Sequence, residues 1–338
     1  MPPPMSPIFV AIVNYRTGSL VVDCLASLLP MLADLRGGRV IVVDNASGDD
    51  SAALIGTAIA QRGWSAWAEL LPLPRNGGFA YGNNAAIARA RELAPAFAAV
   101  LLLNPDTLAR AGAIRYLVEH LDANPRTGIV GALIENEAGV PESSAHPAPS
   151  PLRELEDAAR LAPLSRWLSG SDTAWVPRSA PHECDWVSGA CMAVRREVLD
   201  AVGPMDEGFF LYFEEVEFCL RARQAGWQCW FVPVARVLHF EGAATGIRIA
   251  RRRRPAYWYA SRRRYFVKAF GVAGLLRADA LWALGRFSLV TRRAVGLGGR
   301  HGRDDEPTWL ALDLLLGDVK AFFSGELQRI PRLVRHAR

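Results

Sequence analysis

Lysine is scarce in this chain, which has only Lys268 and Lys320 among its 39 basic residues. Its five cysteines are odd in number and scattered, and no two are spaced as Cys-x-x-Cys. That argues against a disulfide framework or a zinc ribbon and fits a reducing compartment. The first residues lack the basic and apolar regions of a signal peptide, and no run approaches the roughly 18 apolar residues of a spanning helix. These absences predict a cytoplasmic protein.

Basic charge is concentrated at the end of the chain. From Ile247 onward there are 20 Lys and Arg against 7 Asp and Glu, whereas the preceding residues contain 19 and 27. Arg251–Lys268 mixes arginine with Tyr and Trp, and amphipathic patterns follow in Ala269–Leu297 and Trp309–Leu327. Such a region favours an anionic membrane surface over nucleic acid, because its apolar faces exceed what phosphate binding requires. The alternative is a solvated basic face packed on the main domain.

The first half of the chain alternates between apolar runs and helical patterns. Ile8–Val13 and Arg39–Asp44 are typical of strands buried on both faces, and each is followed by a helical pattern. The alternation predicts a largely parallel sheet whose polar strand ends share one edge. Ligands bind at that edge in open α/β sheets, so Asn14, Tyr15 and Asp44 are predicted to lie together at a ligand site.

A glycine-rich segment, Arg75–Asn84, stands at the start of the next predicted helix. Three glycines and an arginine at a helix start suit an anion, because backbone N–H groups and the helix dipole point towards it. An ordinary glycine-rich turn is the alternative. The segment is not a Walker loop, since no Gly-Lys-Ser/Thr follows.

The strongest core-strand pattern, Ala98–Leu103, ends in Asn104-Pro-Asp106. A carboxylate at the tip of a central strand is well placed to hold a hard divalent cation that bridges phosphate oxygens. Asp106 could equally cap the helix that follows, and the two roles are compatible.

Three carboxylates, Glu214, Glu215 and Glu217, follow the apolar and aromatic run Phe209–Phe213. Desolvation and mutual repulsion raise carboxylate pKa values, which suits a general base. The alternative is a first helical turn whose acids are favoured by the helix dipole. His239 ends the last apolar strand pattern, where a lone histidine is more often a core residue unless a metal lies beside it.

Together these motifs resemble the inverting family 2 glycosyltransferases of GT-A fold, and most closely their bacterial rhamnosyltransferase branch. The resembling segments are Val13–Tyr15, Val43–Ser47, Arg75–Phe79 with Asn83 and Asn84, Leu103–Asp106, Trp186–Ala190, Phe210–Glu217, Arg221–Trp227 and His239. Each is weak alone, but their order and spacing are specific. The resemblance implies a mixed, mostly parallel sheet flanked by helices in a catalytic domain at 7–245. A basic, aromatic-rich, amphipathic helical region would occupy 246–338.

The resemblance also implies residue roles. Tyr15 would pack on the base of a nucleotide-sugar donor, and Asp44 would accept a hydrogen bond from a pyrimidine imide. Asp106 would bind Mg²⁺ or Mn²⁺ together with His239. The rest of the donor-binding set would be Val13, Asn14, Arg75, Asn76, Gly77, Gly78, Asn83, Asn84 and Asn104.

Glu215 would be the base that deprotonates the acceptor hydroxyl. Glutamate is one methylene longer than the aspartate commoner in the family, so Glu217 remains a second candidate. Glu214 and Trp186 would hold the acceptor sugar.

The resemblance thus implies a metal-dependent, inverting enzyme that moves L-rhamnose from dTDP-rhamnose to a glycan or lipid-linked glycan in cell-envelope polysaccharide synthesis. It would be peripheral at the inner face of the plasma membrane, with no nucleic-acid partner, and a homo-oligomer is compatible with the sequence. A UDP-sugar donor and a non-catalytic carbohydrate-binding relative are the alternatives. A sugar nucleotidyltransferase is disfavoured, because no Gly-rich loop with Arg and Lys follows the first strand.

Overall fold

The computed structural model describes residues 6–161, 179–240, 253–297 and 309–333. The described residues divide into two compact units, the first drawn from Met1–Pro147 and Pro177–Gly246 and the second from Ala148–Val176 and Ile247–Ala337. The helix Pro151–Ala159, which the sequence prediction assigned to the catalytic domain, belongs to the second unit.

The first unit is an α/β structure. Its described strands are β1 (Ile8–Asn14), β2 (Val40–Asp44), β3 (Ala68–Pro72), β4 (Ala99–Leu103), β5 (Thr107–Ala109), β6 (Thr127–Glu135), β7 (Pro141–Glu142), β8 (Ala145–His146), β9 (His182–Cys184), β10 (Trp186–Val187), β11 (Cys191–Arg195) and β12 (Gln228–His239). Its described helices are α1 (Gly18–Leu28), α2 (Ser51–Gln61), α3 (Phe79–Leu93), α4 (Ala113–Ala123), α6 (Arg196–Val202) and α7 (Glu214–Gln224). Short 3₁₀ helices cover Leu29–Leu35 and Trp64–Ala66.

The large sheet has the strand order β3-β2-β1-β4-β11-β6-β12-β5. Strands β3, β2, β1 and β4 are parallel, as are β6 and β12, whereas β11 runs antiparallel between β4 and β6. This is the mixed, mostly parallel sheet that the sequence predicts. The register sets Asn14 opposite Asp44, so two predicted site residues meet at the carboxyl edge.

Both faces of the sheet are covered, which explains the continuous apolar runs. Every residue of β1 is buried. Val10 and Ile12 join the core beneath α1, α2 and α4, while Phe9 and Ala11 join the core beneath α3, α6 and α7. Because alternate side chains of a strand point to opposite faces, burial on both sides removes any polar alternation.

One helical stretch corrects the prediction that no segment is long enough to span a membrane. Among the described residues, Gly18–Leu35 has the length and apolar composition of such a span. Val21, Leu25 and Leu28 are fully buried in the core of the first unit. This stretch therefore serves here as a core helix, which needs the same apolar composition.

Two strand irregularities lie close to the predicted site. A turn at Gly189–Ala190 separates β10 from β11 and passes the chain from the small β8–β10 sheet into the large one. The apolar pattern that ends at His239 belongs to the long strand β12. Its register against β6 shifts between Val232 and Arg236, next to Pro233. Proline cannot donate to a strand ladder, so a bulge is expected there.

The second unit is helical, as predicted. Its described helices are α5 (Pro151–Ala159), α8 (Ala256–Ala294) and α9 (Leu310–Phe323), followed by a 3₁₀ turn at Leu327–Arg329. Gly271 has φ 73° and interrupts α8, a left-handed conformation that favours glycine. Arg251 and Arg252, which begin the predicted basic segment, lie outside the described residues.

Candidate active site

A hydrogen-bonded cluster joins the ends of β1 and β2. The Asn14 amide donates to Asp44 Oδ1 at 2.7 Å and to Ser47 Oγ at 3.0 Å, and all three residues are buried. The Ser47 hydroxyl and backbone N–H also donate to the Asp44 carboxylate. The cluster fixes the direction of the Asp44 carboxylate at the carboxyl edge of the sheet.

Tyr15 lies at the same edge with 37% of its surface exposed. The Arg16 guanidinium lies 5.2 Å from the centre of the Tyr15 ring and donates to the Ser47 carbonyl at 2.9 Å. Arg16 and Ala46 both have positive φ, 60° and 53°. Sequence reasoning missed Arg16; its one signal was its place in the polar loop after β1. Strained non-glycine backbone of this kind clusters at ligand sites.

The glycine-rich segment is tied to β2 and to the segment before α7. Asn45, another residue missed from the sequence, donates to the Asn76 side chain and the Gly78 carbonyl, both at 3.0 Å. Gly78 has φ 89°, and a Cβ there would lie 2.1 Å from the Phe210 carbonyl oxygen. Phe79 N–H donates to that same oxygen at 2.9 Å. Glycine is therefore required at 78.

The other predicted residues of this segment have different surroundings. The Arg75 guanidinium lies 4.2 Å from the centre of the Tyr81 ring. Asn83 is fully buried and donates to the Phe79 carbonyl at 3.0 Å. The Asn84 side chain is bound at both ends to the loop after α6, through the Met205 backbone. Asn84 thus holds that loop against α3.

Asp106, predicted to bind a metal, meets His239 directly. His239 Nε2 lies 3.1 Å from Asp106 Oδ1 and 3.3 Å from the Asn104 side-chain amide, and both Asp106 and His239 are largely buried. His239 Nε2 can either donate an N–H to Asp106 or accept a hydrogen bond from the Asn104 amide, but it cannot do both at once. This oxygen and nitrogen donor set fits Mg²⁺ or Mn²⁺. No three His, Cys, Asp or Glu side chains converge within the described residues, which offer Asp106 and His239 as a pair of ligands at this position.

The Gly189–Ala190 turn connects this pair to the predicted base. Asn104 N–H donates to the Ala190 carbonyl at 3.0 Å. A Cβ built on Gly189 would lie 3.6 Å from Glu215 Cβ and 3.5 Å from the Phe79 ring. Asn104, Glu215 and the glycine-rich segment thus adjoin one turn.

The three carboxylates at the start of α7 have distinct environments. Burial, and to a lesser degree the charge of Glu215, raises the pKa of Glu214 well above its usual value. Burial raises the pKa of Glu215 to about 7. Among the described residues, one carboxylate oxygen of each is buried without a hydrogen-bond partner. Fully buried Glu217 instead receives two hydrogen bonds from Arg221 Nε, at 2.9 and 3.0 Å.

The backbone before α7 is strained. Tyr212 and Phe213 have φ values of 69° and 68°, so two consecutive non-glycine residues are left-handed. Each such residue costs about 1–3 kcal/mol and persists only where the surrounding structure fixes it. The strained turn directly precedes Glu214 and Glu215, the predicted acceptor-binding residue and base.

Trp186 lies beside a residue that the sequence analysis did not single out. Its ring stacks on His146 at a centroid distance of 4.3 Å, and its indole N–H donates to the Pro147 carbonyl at 3.0 Å. Burial lowers the pKa of His146 to about 4. His146 is the register partner of Trp186 across β8 and β10, so the pairing of these strands holds the two rings together.

The sequence matches the family model described as Glycosyltransferase like family 2 over residues 3–258. The chain belongs to this family. It is 33% identical over 296 residues to N-acetylglucosaminyl-diphospho-decaprenol L-rhamnosyltransferase of Mycobacterium tuberculosis, an alignment covering 84% of this chain and 90% of the relative. Rhamnosyltransferase WbbL of Escherichia coli is 25% identical over 174 residues, which covers 48% of this chain and 61% of that protein.

Solved structures of this fold include the mannosyltransferase PcManGT from Pyrobaculum calidifontis, in complex with GDP-Man and Mn²⁺. It matches 94% of this chain and 81% of its own with a TM-score of 0.54 at 15% identity. GalNAc-T7 with UDP, GalNAc and Mn²⁺ has a TM-score of 0.55 at 15% identity over 94% of this chain and 58% of its own. The predicted GT-A fold is confirmed, as is the resemblance to family 2 rhamnosyltransferases.

Proposed function

We propose that this family 2 glycosyltransferase is an inverting rhamnosyltransferase. It transfers L-rhamnose from dTDP-rhamnose to a hydroxyl of a glycan or lipid-linked glycan in cell-envelope polysaccharide synthesis. The mycobacterial relative is an L-rhamnosyltransferase of a decaprenol-linked sugar, which supports both the rhamnose and the lipid-linked acceptor. One structural observation carries the mechanism: Glu215, with a pKa of about 7, adjoins the Gly189–Ala190 turn, and that turn is hydrogen-bonded to Asn104, whose side chain contacts His239.

The donor nucleotide would lie at the carboxyl edge of β1 and β2. Exposed Tyr15 offers a ring face for the base, and the fixed Asp44 carboxylate offers an acceptor for its imide N–H. Val13, near the end of β1, packs closely against α3 at this edge: a Cβ built on Gly82 would lie only 2.6 Å from the Val13 side chain. The ribose and diphosphate would follow the segment from Arg75 to Gly78 towards Asn104, with Asn83 behind it.

Asp106 and His239 would hold Mg²⁺ or Mn²⁺, leaving most coordination positions to the diphosphate and water, as Mg²⁺ commonly requires. The two solved structures described above contain Mn²⁺. When bound, such an ion stabilises the negative charge that develops on the departing diphosphate. This role makes the proposed enzyme metal-dependent.

Glu215 would remove the proton from the acceptor hydroxyl as that oxygen attacks the anomeric carbon. A base with a pKa near the working pH combines an adequate ionised fraction with proton affinity. The carboxylate needs to come within about 3 Å of the acceptor oxygen. A single displacement with one base inverts the anomeric configuration.

Glu217 is a poor base by comparison. Both of its oxygens are engaged by Arg221, whose Nη2 also donates to the Pro204 carbonyl at 2.8 Å. Removing the Glu217 carboxylate would leave the partly buried Arg221 guanidinium without its anionic partner. Its position supports a structural role in fixing α7 and favours Glu215 as the base.

The acceptor sugar would lie between Glu214 and the Trp186 ring. Aromatic faces pack against the apolar face of a sugar ring, and a carboxyl group binds its hydroxyls. The basic second unit would keep the enzyme at the inner, anionic surface of the plasma membrane, where a lipid-linked acceptor is found.

The decisive experiment measures transfer to a lipid-linked acceptor by wild type and by Glu215→Gln, using a donor panel of dTDP-rhamnose and UDP-sugars. We expect dTDP release from dTDP-rhamnose and a loss of about 10²–10⁴-fold in kcat for Glu215→Gln. Donor binding should be retained, because Glu215 does not contact the nucleotide in this proposal.

Glu217→Gln is the matched control, two residues away on the same helix. It should lower thermal stability rather than act selectively on kcat. An undiminished kcat in Glu215→Gln would remove Glu215 as the base. Exclusive release of UDP from the panel would replace dTDP-rhamnose by a UDP-sugar donor.

A further inference from the structure

The second unit contains a cavity of about 630 Å³ along α8 and α9. Four cationic side chains line it, Arg253, Arg254, Arg263 and Lys320, together with the acidic Asp313 and Glu326. A volume of this size matches a small-molecule site and exceeds a single phosphate group. The excess of cations selects for an anionic occupant.

Most of the lining arginines are held in position. Arg263 is largely buried and donates to Asp318 at 2.6 Å and to Glu326 at 3.3 Å. Arg254 lies 3.9 Å from the centre of the Trp258 ring. Arg253 uses one edge of its guanidinium, Nε and Nη2, for Asp313. Fixed guanidinium groups lose little entropy when they bind an oxyanion.

Lys320 differs from these arginines. It is exposed, and it makes no ion pair with any other residue in the described part of the chain. The Tyr259 side chain also lines the cavity, close to the Asp313 carboxylate. The Lys320 ammonium is therefore the cation that is available to an incoming anion.

An exposed apolar stripe runs along α9 and its first flanking residue, immediately beside the cavity. Its members repeat every three or four positions, and between 46% and 82% of each is exposed: Trp309, Leu312, Leu316, Val319 and Phe323. Four residues of α9 that line the cavity follow the same spacing, displaced by one position, and Ala321 lies beside them: Asp313, Gly317, Lys320 and Ser324. One position rotates a helix by about 100°, so the two stripes are adjacent.

We infer that this cavity binds the phosphate-bearing head group of an anionic lipid, with the acyl chains against the apolar stripe of α9. Charge complementarity selects the phosphate, and the adjoining apolar surface selects a lipid over a soluble phosphate. This deepens the proposed membrane location by assigning it a defined site. It does not require catalysis by the first unit.

The test is sedimentation of the full-length protein with phosphatidylcholine vesicles that contain phosphatidylglycerol. Lys320→Glu reverses a cavity charge, and Arg277→Glu reverses an exposed charge on α8 outside the cavity lining. We expect Lys320→Glu to weaken vesicle binding about tenfold or more and Arg277→Glu to weaken it much less. Lys320→Gln should give an intermediate loss, which guards against misfolding of the charge-reversed variant.

Equal losses in Lys320→Glu and Arg277→Glu, or no loss in Lys320→Glu, would overturn the cavity assignment in favour of diffuse attraction. Competition by inorganic phosphate at constant ionic strength would assign the cavity to a soluble anion, and Lys320-dependent binding of a DNA duplex would assign it to nucleic acid. Donor hydrolysis without vesicles should be unchanged in Lys320→Glu. If instead the glycosyltransferase proposal were wrong, Glu215→Gln would keep the kcat of wild type, and vesicle binding would be unaffected.

Discussion

The two units of this protein differ in how their buried charged side chains are paired. At the start of α7, Glu214 and Glu215 each keep a buried carboxylate oxygen without a hydrogen-bond partner among the described residues. In the second unit, Arg262 is 2% exposed and is surrounded by carboxylates: it contacts Asp279 at 2.9 Å, Glu154 at 3.0 Å and Asp318 at 3.4 Å. The first arrangement leaves carboxylate oxygens unpaired, whereas the second pairs its carboxylates with an arginine, although burial still raises the pKa of Asp279 to about 7.

The difference separates a reactive site from a structural one. A buried carboxylate without a partner has a raised pKa, so it can take up a proton near neutral pH. A buried arginine that touches three carboxylates has no such role and instead fixes the helices that carry them. Glu217 follows the second pattern inside the first unit, only two residues from Glu215. Partners, rather than burial alone, distinguish the base from its neighbour.

The largest expected effect is the loss of stability on removing the buried cation Arg262 from the second unit. Arg262→Met should lower the free energy of unfolding by about 3–5 kcal/mol, because it leaves buried carboxylates without their cation. Calorimetry of wild type and variant measures this loss. Arg115→Met, on the exposed face of α4, is the control and should leave the melting temperature unchanged. A melting temperature for Arg262→Met equal to wild type would show that the cluster is not structural.

A second prediction concerns the pH dependence of transfer. Glu215 acts in its ionised form and its pKa is raised to about 7, so kcat should rise with pH and level off above 7. Below that pH the rate should fall about tenfold per pH unit, because each unit reduces the ionised fraction tenfold. Since Glu214 and Glu215 are adjacent, the observed midpoint belongs to the pair.

The matched measurement is dTDP binding across the same pH range. Binding should stay nearly constant while kcat changes, because the proposed nucleotide contacts do not involve Glu215. A kcat profile that is flat between pH 5 and 8 would contradict a raised Glu215 pKa in the working enzyme.

The sequence was most informative where burial acts on whole runs of residues. β1 and β2 are buried throughout, so their apolar runs stand out, and parallel pairing then placed Asn14 beside Asp44. Helix α7 was harder to delimit, because it begins at Glu214, directly after the strained turn. Nothing local in the sequence indicates two left-handed residues at Tyr212 and Phe213.

The missed contacts connect distant parts of the chain. Asn84 was predicted in the donor-binding set, yet its amide holds Met205, 121 positions away. Asn45 joins the glycine-rich segment only because β2 ends beside it, and His146 meets Trp186 through a pairing of two-residue strands. Such pairings depend on the closed fold, and no periodicity or propensity encodes them. The i,i+4 spacing of Glu217 and Arg221, by contrast, could have revealed their ion pair.

The smallest predicted effect is a pH-dependent change in the stability of the protein when Glu214 is replaced. Burial raises the pKa of Glu214, so the folded protein holds a proton that the unfolded chain releases once pH rises above the ordinary glutamate pKa near 4.5. Wild-type stability from this group is therefore fully present below that pH and is lost as pH rises. Glu214→Gln cannot ionise and should gain stability relative to wild type at pH 8, by about 1 kcal/mol, and less at pH 5.

Thermal unfolding of Glu214→Gln and wild type at the two pH values measures this gain, with Glu119→Gln as the exposed control on α4. Glu217→Gln should move in the other direction, because it takes a buried carboxylate away from Arg221 instead of removing one that has a free oxygen. If both substitutions destabilised the protein equally at both pH values, the two carboxylates would share one structural role. The proposed contrast between buried carboxylates without a partner and buried carboxylates paired with arginine would then not hold for Glu214 and Glu217.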